Sequence, residues 1–155
     1  MDTIEVRIGI PADFDQLAKI ISSSDAWTCY GIDYNMALRL FEQMNDIIYV
    51  AELNNQLAGF VTLRTDGVGN IGAYIRMLAV ASAFRGQSIG AQLIDYVGQI
   101  AAQNIPNLFL ICSLDNVRAQ SFYERSGFVQ VGLIKDLAVN GHDELFYRKC
   151  LGTLY

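Results

Sequence analysis

Residues 85–91, RGQSIGA, join a strand-like apolar run at residues 77–80, MLAV, to a helical pattern over residues 93–101. A strand that enters a glycine-bearing loop and then a helix builds an anion site. The first amides of the helix lack intrahelical partners and lie at the positive end of its dipole. The two glycines let the backbone approach a ligand, and Arg85 adds a fixed positive charge. The stretch favours a phosphate-bearing ligand; the alternative is an ordinary strand–helix connection with an exposed arginine.

The patterns on either side of this stretch predict the element order β-α-α-β-β-β-α-β-α-β-β. That order indicates an α/β (α+β) chain with a mixed, mostly antiparallel central sheet flanked by helices, in a single domain over residues 1–155. Asp13 is expected to cap the first helix, and a loop is expected around Trp27. The strands are predicted over residues 4–8, 47–53, 57–63, 73–80, 108–112, 128–134 and 145–150. The helices are predicted from residue 13, over 36–41, from the 85–91 loop to about 104, and over 116–125.

Composition narrows the functional classes. The 155 residues are 52% hydrophobic and 17% charged, which is typical of a globular chain. A net charge of -5 and a pI of about 4.7 make nucleic acid an unexpected partner, because its binding depends on basic contacts to phosphate. We expect no membrane span and no signal peptide. Cys29, Cys112 and Cys150 are widely spaced, so we expect no metal site and no disulfide framework, and a cytoplasmic location.

Residues 67–72, GVGNIG, match the dinucleotide-binding pattern G-x-G-x-x-G literally. That fingerprint must follow a strand and open a helix. The residues that follow Gly72 are predicted to form a strand, so these glycines are interpreted as a hairpin loop.

Residues 114–128, LDNVRAQSFYERSGF, form a second constellation. Asn116 can cap the helix, and Ala119, Phe122 and Tyr123 share one helical face. Together with residues 85–91, this stretch resembles the GNAT superfamily of acyl-CoA-dependent N-acetyltransferases. The family's loop signature, Q/R-x-x-G-x-G/A, is matched at Arg85 and Gly90. Its downstream pattern, N-x-x-A-x-x-F-Y-x-x-x-G-F, is matched at Asn116, Ala119, Phe122, Tyr123, Gly127 and Phe128.

The resemblance implies a sheet splayed between the fourth and fifth strands, with acetyl-CoA as cosubstrate. It implies direct attack of an amine on the thioester in a ternary complex. The backbone amide near Leu78 would stabilise the oxyanion, and Tyr123 would protonate the leaving thiolate. The implied cofactor-binding residues are Met77, Leu78, Val80, Arg85, Gly86, Gln87, Ser88, Ile89, Gly90, Ala91, Asn116 and Tyr123.

Ser88 stands where the family usually has glycine. A helical backbone at this position would tolerate serine, and the hydroxyl could bond a phosphate. A positive φ would instead make serine costly there.

The general base and the acceptor stay open at this point. Glu52, Asp33, Asp115 and His142 are the candidate bases, although each carboxylate is more often a solvated or capping group and the histidine is more often an exposed loop residue. Trp27 and Tyr30 could line an acceptor pocket, with Asp33 holding a cation, or they could pack the first two helices onto the sheet.

The resulting hypothesis is an N-acetyltransferase acting on a primary amine of a small molecule, peptide or protein. The alternatives are a catalytically silent acyl-CoA-binding sensor or partner module, and a transferase for a longer acyl group. Exposed strand edges make a homodimer a further possibility.

Overall fold

The computed structural model describes residues 3–155, so the first two residues of the expected domain lie outside the described range. The element order confirms the predicted alternation, with one short helix added. The strands are β1 Ile4–Ile8, β2 Ile47–Leu53, β3 Gln56–Val68, β4 Gly72–Val80, β5 Asn107–Ser113, β6 Val129–Val139 and β7 His142–Cys150. The helices are α1 Phe14–Ser22, α2 Asp25–Thr28, α3 Tyr34–Gln43, α4 Ile89–Ala101 and α5 Val117–Arg125.

The strands form a sheet in the order β1-β2-β3-β4-β5-β7-β6. Antiparallel pairing joins β1 to β2, β2 to β3, β5 to β7 and β6 to β7, whereas β4 and β5 are parallel. The predicted mixed and mostly antiparallel sheet is therefore confirmed. The parallel ladder joins Ala73, Tyr74 and Ile75 of nine-residue β4 to Leu108, Phe109 and Leu110 of seven-residue β5. This short ladder agrees with the expected splay of these two strands.

The chain divides into two compact units. The first contains the residues up to Leu63 together with Met77–Tyr96. Its core forms where the apolar faces of α1 and α3 pack on β2, β3 and the end of β4. Apolar residues at helical spacing explain that contact, since Leu17, Ile20 and Ile21 lie on one face of α1.

The second unit contains Arg64–Arg76 and Val97–Tyr155. Aromatic rings fill much of its core: the Phe109 and Phe146 rings stack with centroids 5.1 Å apart, and Tyr147 is buried. The Tyr123 ring packs against Phe128, with 5.8 Å between the ring centroids. These contacts fix α5 against the β5–β7–β6 part of the sheet.

The glycines of residues 67–72 serve the β3–β4 hairpin, as predicted. β3 runs through Gly67 to Val68 and β4 begins at Gly72. A Cβ on Gly72 would meet the Phe109 ring at 2.3 Å, and one on Gly67 would meet Cβ of Tyr74 at 2.3 Å. Close packing, rather than a dinucleotide, explains both glycines.

Two local predictions were wrong. The loop around Trp27 contains a short helix, α2. Asp13 makes no side-chain cap for α1, because its carboxylate accepts hydrogen bonds from the Arg7 guanidinium and from the Ile10 amide. An ion pair across the β1–α1 connection thus replaces the expected cap.

Across residues 3–155, no helix is both long enough and apolar enough to cross a membrane.

Candidate active site

The loop before α4 has an unusual backbone. Residues 82–84 form one turn of 3-10 helix, and two nearby residues then adopt left-handed conformations, Gly86 with φ +77° and Ser88 with φ +61°. The Ser88 carbonyl accepts the Gln92 amide at 3.0 Å, so α4 is hydrogen-bonded from its first turn. The amides of Ile89, Gly90 and Ala91 belong to this first turn. They have no acceptor within the helix, because the carbonyls four residues before them lie outside it.

The sequence left open whether Ser88 has a helical backbone or a positive φ, and the structure shows a positive φ. Its φ lies in the left-handed region, where a Cβ is costly and glycine is favoured. Residues 85–88 are exposed, so the Arg85 side chain and the loop backbone face solvent. The loop is therefore a strained, solvent-facing turn at a helix N-terminus, and such a turn can receive an anion.

The end of β4 is held by β3 in the same unit. Thr62 is fully buried, and its Oγ1 accepts the Met77 amide at 3.0 Å. This hydrogen bond ties the Met77 peptide to β3. The Ala81 amide donates to the Ala58 carbonyl at 2.8 Å, and Leu78 and Val80 between these ties are half-buried.

Gly59 and Thr62 were missed by the sequence interpretation. A Cβ on Gly59 would lie 2.8 Å from the Ala79 carbonyl oxygen, so only glycine lets β3 come this close to the end of β4. A glycine and a threonine inside an otherwise apolar strand were the available signals.

Tyr123 lies in the second unit on α5. Its ring contacts Phe122, Phe128 and Tyr147, with centroid separations of 5.3, 5.8 and 6.3 Å. Desolvation by these surroundings raises the pKa of Tyr123 above its ordinary value of 10, and Cys112 and Tyr74 raise it further. The phenol therefore stays protonated across the physiological range, as a proton donor must.

The β5–α5 connection is closely tied by hydrogen bonds. Asn116 caps α5, with its Oδ1 accepting the Ala119 amide at 3.1 Å. The Gln120 side chain donates to the carbonyls of Ser113 (3.0 Å) and Leu114 (2.7 Å). Gln120 was not predicted, although its place one turn after a capping asparagine was a signal for such a return bond.

Cys112, which precedes this connection, is buried. Burial, with a smaller contribution from the Glu144 carboxylate, raises the pKa of the Cys112 thiol to about 12. A thiol that stays protonated is not a nucleophile at neutral pH, in line with its interpretation as an apolar core residue.

The candidate bases fall into two groups. Glu52 accepts two hydrogen bonds from the Arg7 guanidinium, and Asp33 caps α3 by accepting the Met36 amide at 2.8 Å. Both carboxylates thus have structural partners. Asp115 and His142 are brought together: Asp115 Oδ2 lies 3.4 Å from His142 Nδ1.

The three residues expected at the acceptor lie in the first unit. Trp27 is half-buried and packs against the core formed by α1 and α3. Tyr30 is half-buried and follows α2, where its amide donates to the Trp27 carbonyl at 3.0 Å. The helix-packing interpretation thus describes Trp27, and the exposed Asp33 carboxylate is engaged in its cap.

Comparison with known proteins adds a family match. Residues 15–128 match the model of the acetyltransferase (GNAT) family. Over 112 residues, the chain is 33% identical to N-alpha-acetyltransferase 30 of Schizosaccharomyces pombe (strain 972 / ATCC 24843), covering 68% of this chain and 72% of the relative.

Solved structures share the fold. A protein described as an acetyltransferase of the GNAT family from Desulfovibrio desulfuricans superposes with a TM-score of 0.82 at 19% identity, covering 97% of this chain and 100% of that one. An aminoglycoside 6'-N-acetyltransferase, solved with coenzyme A, gives a TM-score of 0.77 at 19% identity, covering 96% and 98% of the two chains.

Proposed function

Since this chain belongs to the acetyltransferase (GNAT) family, we propose that it acetylates the α-amine of a peptide or protein. It is an acyl-CoA-dependent N-acetyltransferase with acetyl-CoA as its cosubstrate. The acceptor class rests on one observation, the 33% identity to a relative named N-alpha-acetyltransferase 30. A primary amine of a small molecule is the alternative acceptor.

The donor's pyrophosphate would bind the loop before α4. The exposed backbone from Gly86 to Ser88 and the amides from Ile89 to Ala91 supply donors at the positive end of the helix dipole. The exposed Arg85 and Gln87 side chains would add a charge and a polar contact.

The pantetheine arm would bond to the backbone at the end of β4, through the backbones of Met77, Leu78 and Val80. Asn116 would also face the cofactor. Thr62 supports this assignment, because it fixes the orientation of the Met77 peptide. Support from a buried hydroxyl keeps these backbone groups at fixed positions when the ligand arrives.

The chemistry would be direct transfer. The neutral amine attacks the thioester carbonyl, the Leu78 amide stabilises the oxyanion, and the carbon–sulfur bond then breaks. Tyr123 would give its proton to the departing thiolate and recover one from the acylated nitrogen. The raised pKa of Tyr123 supports this role, because the group is protonated when the thiolate leaves.

The acceptor would approach the segment that contains Trp27, Tyr30 and Asp33. The half-exposed rings of Trp27 and Tyr30 offer apolar surface for a peptide side chain. The Asp33 carboxylate would add a negative charge near a cationic acceptor, with one oxygen retained for its cap.

Release of CoA from acetyl-CoA tests the proposal. We expect CoA release with a lysine-containing peptide that has an unmodified N-terminus. We expect little CoA release with the same peptide after its α-amine has been acetylated, although its lysine side chain is still free. Lysine-dependent release, or release only with small amines, would contradict the α-amine acceptor. Binding of acetyl-CoA without release by any amine would favour a silent acyl-CoA-binding module.

The proposal extends to cellular location. Cys29, Cys112 and Cys150 are free thiols, the form that a reducing compartment maintains. We therefore place the chain in the cytoplasm, and fractionation of cells that express it is the check.

A homodimer is also part of the proposal, with β6 as the interface. β6 ends the sheet, and its exposed residues include Val129, Val131 and Leu133. An unpaired apolar edge favours strand addition, and antiparallel pairing of β6 with a second β6 satisfies two-fold symmetry. Sedimentation equilibrium should show a dimer that Val131→Lys weakens; a monomer at all concentrations would contradict it.

A further inference from the structure

Gly59 of β3 lies where three segments of the first unit meet. A Cβ at this position would lie 2.8 Å from the Ala79 carbonyl oxygen, 3.3 Å from the Val80 Cα and 3.3 Å from Cγ2 of Ile89. Ala79 and Val80 end β4, whereas Ile89 begins α4. Because 2.8 Å is shorter than a Cβ atom tolerates, an alanine here would require one of these segments to move.

The atoms around Gly59 have little room to yield. Two of them belong to the backbone of β4, and the third belongs to the side chain of Ile89, which is 1% exposed. Gly59 is itself buried. A close-packed interior transmits a displacement instead of absorbing it. The contact at Gly59 therefore fixes how far the end of β4 lies from the first turn of α4.

Hydrogen bonds hold the end of β4 to β3 on both sides of this contact. The Ala81 amide donates to the Ala58 carbonyl at 2.8 Å, and the Met77 amide donates to Thr62 Oγ1 at 3.0 Å. The two bonds are the same number of residues apart on β3 and on β4, so neither strand gains a residue between them. The end of β4 is thus held in register on β3, and α4 begins at a distance set by the same strand.

In the proposed donor site, these two segments bind different parts of one molecule. The backbone of residues 77–80 would hold the pantetheine arm and the thioester, and the amides of residues 89–91 would hold the pyrophosphate. A ligand that engages two linked subsites gains from the second only when their separation matches its own span. That separation therefore decides how accurately the complete donor places its thioester at the Leu78 amide.

We propose that Gly59 is a positioning residue that sets the separation of the two donor subsites and so makes the site specific for an acyl thioester of complete CoA. The inference rests on the proposed function. A donor that ends before the pyrophosphate, such as S-acetylpantetheine, occupies only the β4 subsite. Its reaction does not depend on the distance to α4. The two donors therefore distinguish a change in the separation from damage to the β4 subsite.

The test compares kcat/KM for acetyl-CoA with kcat/KM for S-acetylpantetheine, using one acceptor peptide. Gly59→Ala should lower the acetyl-CoA value about 100-fold, because a thioester misplaced by about 1 Å reacts that much more slowly. The S-acetylpantetheine value should fall much less, since this donor follows the end of β4, and the ratio between the donors should drop about tenfold or more. Inhibition constants of CoA and pantetheine give a second measure of the same ratio where turnover of the shorter donor is slow.

Two further variants act on either side of Gly59. Ile89→Leu removes the Cγ2 methyl that packs on Gly59 and conserves the side-chain volume, so it should fold and should lower the donor ratio by a smaller factor. Thr62→Val loosens the Met77 peptide and leaves the Gly59 contact in place. It should lower kcat/KM for both donors by a similar factor and leave their ratio unchanged.

Gly98→Ala is the matched control. It adds the same methyl group to α4 at a position where a Cβ would lie 4.0 Å from Cδ2 of Leu151, an ordinary contact distance. The donor ratio should stay that of the unaltered chain. Circular dichroism and thermal unfolding without ligand identify any variant that does not fold.

The outcomes separate this inference from the proposed function. A folded Gly59→Ala chain that loses activity with both donors by the same factor would overturn the positioning role alone. If Gly59→Ala does not fold, an unchanged donor ratio in Ile89→Leu would overturn it in the same way. An unaltered chain that acetylates no amine with acetyl-CoA would overturn the proposed function and the positioning role with it.

Discussion

Ser88 has a left-handed backbone conformation, which favours glycine over a residue with a side chain. A left-handed conformation costs a non-glycine residue about 1–2 kcal/mol, whereas glycine loses about 0.5–1 kcal/mol more backbone entropy on folding. We therefore expect Ser88→Gly to raise the free energy of unfolding by zero to about 1.5 kcal/mol, measured by urea denaturation.

The matched variants of Ser88 separate the backbone from the hydroxyl. Ser88→Ala removes the hydroxyl and keeps the strain, so its stability should stay near that of serine. Ser88→Val adds β-branching at a positive φ and should be the least stable of the series. An alanine variant as stable as the glycine variant would show that φ is not the cause.

Tyr123 can be tested by removing one oxygen atom. Tyr123→Phe should lower kcat about 100-fold or more, with acetyl-CoA affinity retained, because the ring contacts persist while the proton donor is lost. Tyr147→Phe is the matched control, since it removes the same atom from a neighbouring ring whose hydroxyl lies 3.4 Å from Glu124. Equal losses in both variants would assign the effect to packing.

The raised pKa of Tyr123 predicts how the reaction rate depends on pH above neutrality. Because that pKa is raised above 10, the phenol keeps its proton when ordinary tyrosines begin to lose theirs. Activity should therefore persist at pH 9 to 10. A basic limb below pH 9 that Tyr123→Phe removes would contradict this assignment.

At the scale of the element, the end of β4 depends on one hydroxyl of β3. Thr62→Val leaves the buried Met77 amide without its acceptor, which costs about 1–3 kcal/mol. Thr62→Ser keeps the acceptor and should recover most of that loss. Urea denaturation followed by far-UV circular dichroism measures both; equal stabilities would show that the bond contributes little.

Elements with a strong local pattern were predictable from sequence. Asn54 and Asn55 signalled a tight turn and have φ values of +53° and +61°. Gly127 signalled a left-handed helix end and has φ +92°. In both cases the residue type itself determines the backbone, so no distant contact is needed.

Elements that depend on distant partners were not predictable. Asp13 was interpreted as a helix cap, but Arg7 on β1 draws its carboxylate away. The sequence proposed Asp115 and His142 separately, and only the pairing of β7 with β5 brings them within 3.4 Å. A pattern along the sequence contains no information about such contacts. These residues were therefore predicted one at a time and not as pairs.

For the whole molecule, the Arg7–Asp13 pair predicts how stability depends on pH. Arg7 holds the pKa of Asp13 below its ordinary value of 3.8, although burial opposes this shift. A carboxyl with a lowered folded-state pKa stabilises the fold above its unfolded pKa, and the contribution is lost as pH falls.

The difference in unfolding free energy between the unaltered chain and Asp13→Asn should therefore be constant from pH 5 to 7. It should shrink below about pH 4, where the unfolded state binds the proton more readily. The exposed Asp66→Asn serves as the control. A difference that stays constant down to pH 3 would show that the ion pair does not contribute.

Trp27, the chain's one tryptophan, packs against the core of the first unit. Its fluorescence therefore monitors the environment of α1 and α3, while the second unit, rich in tyrosine and phenylalanine, emits through weaker chromophores. Denaturation followed at this single indole measures the first unit selectively. Comparing it with a probe of total helix and strand content shows whether the two units unfold in one cooperative step.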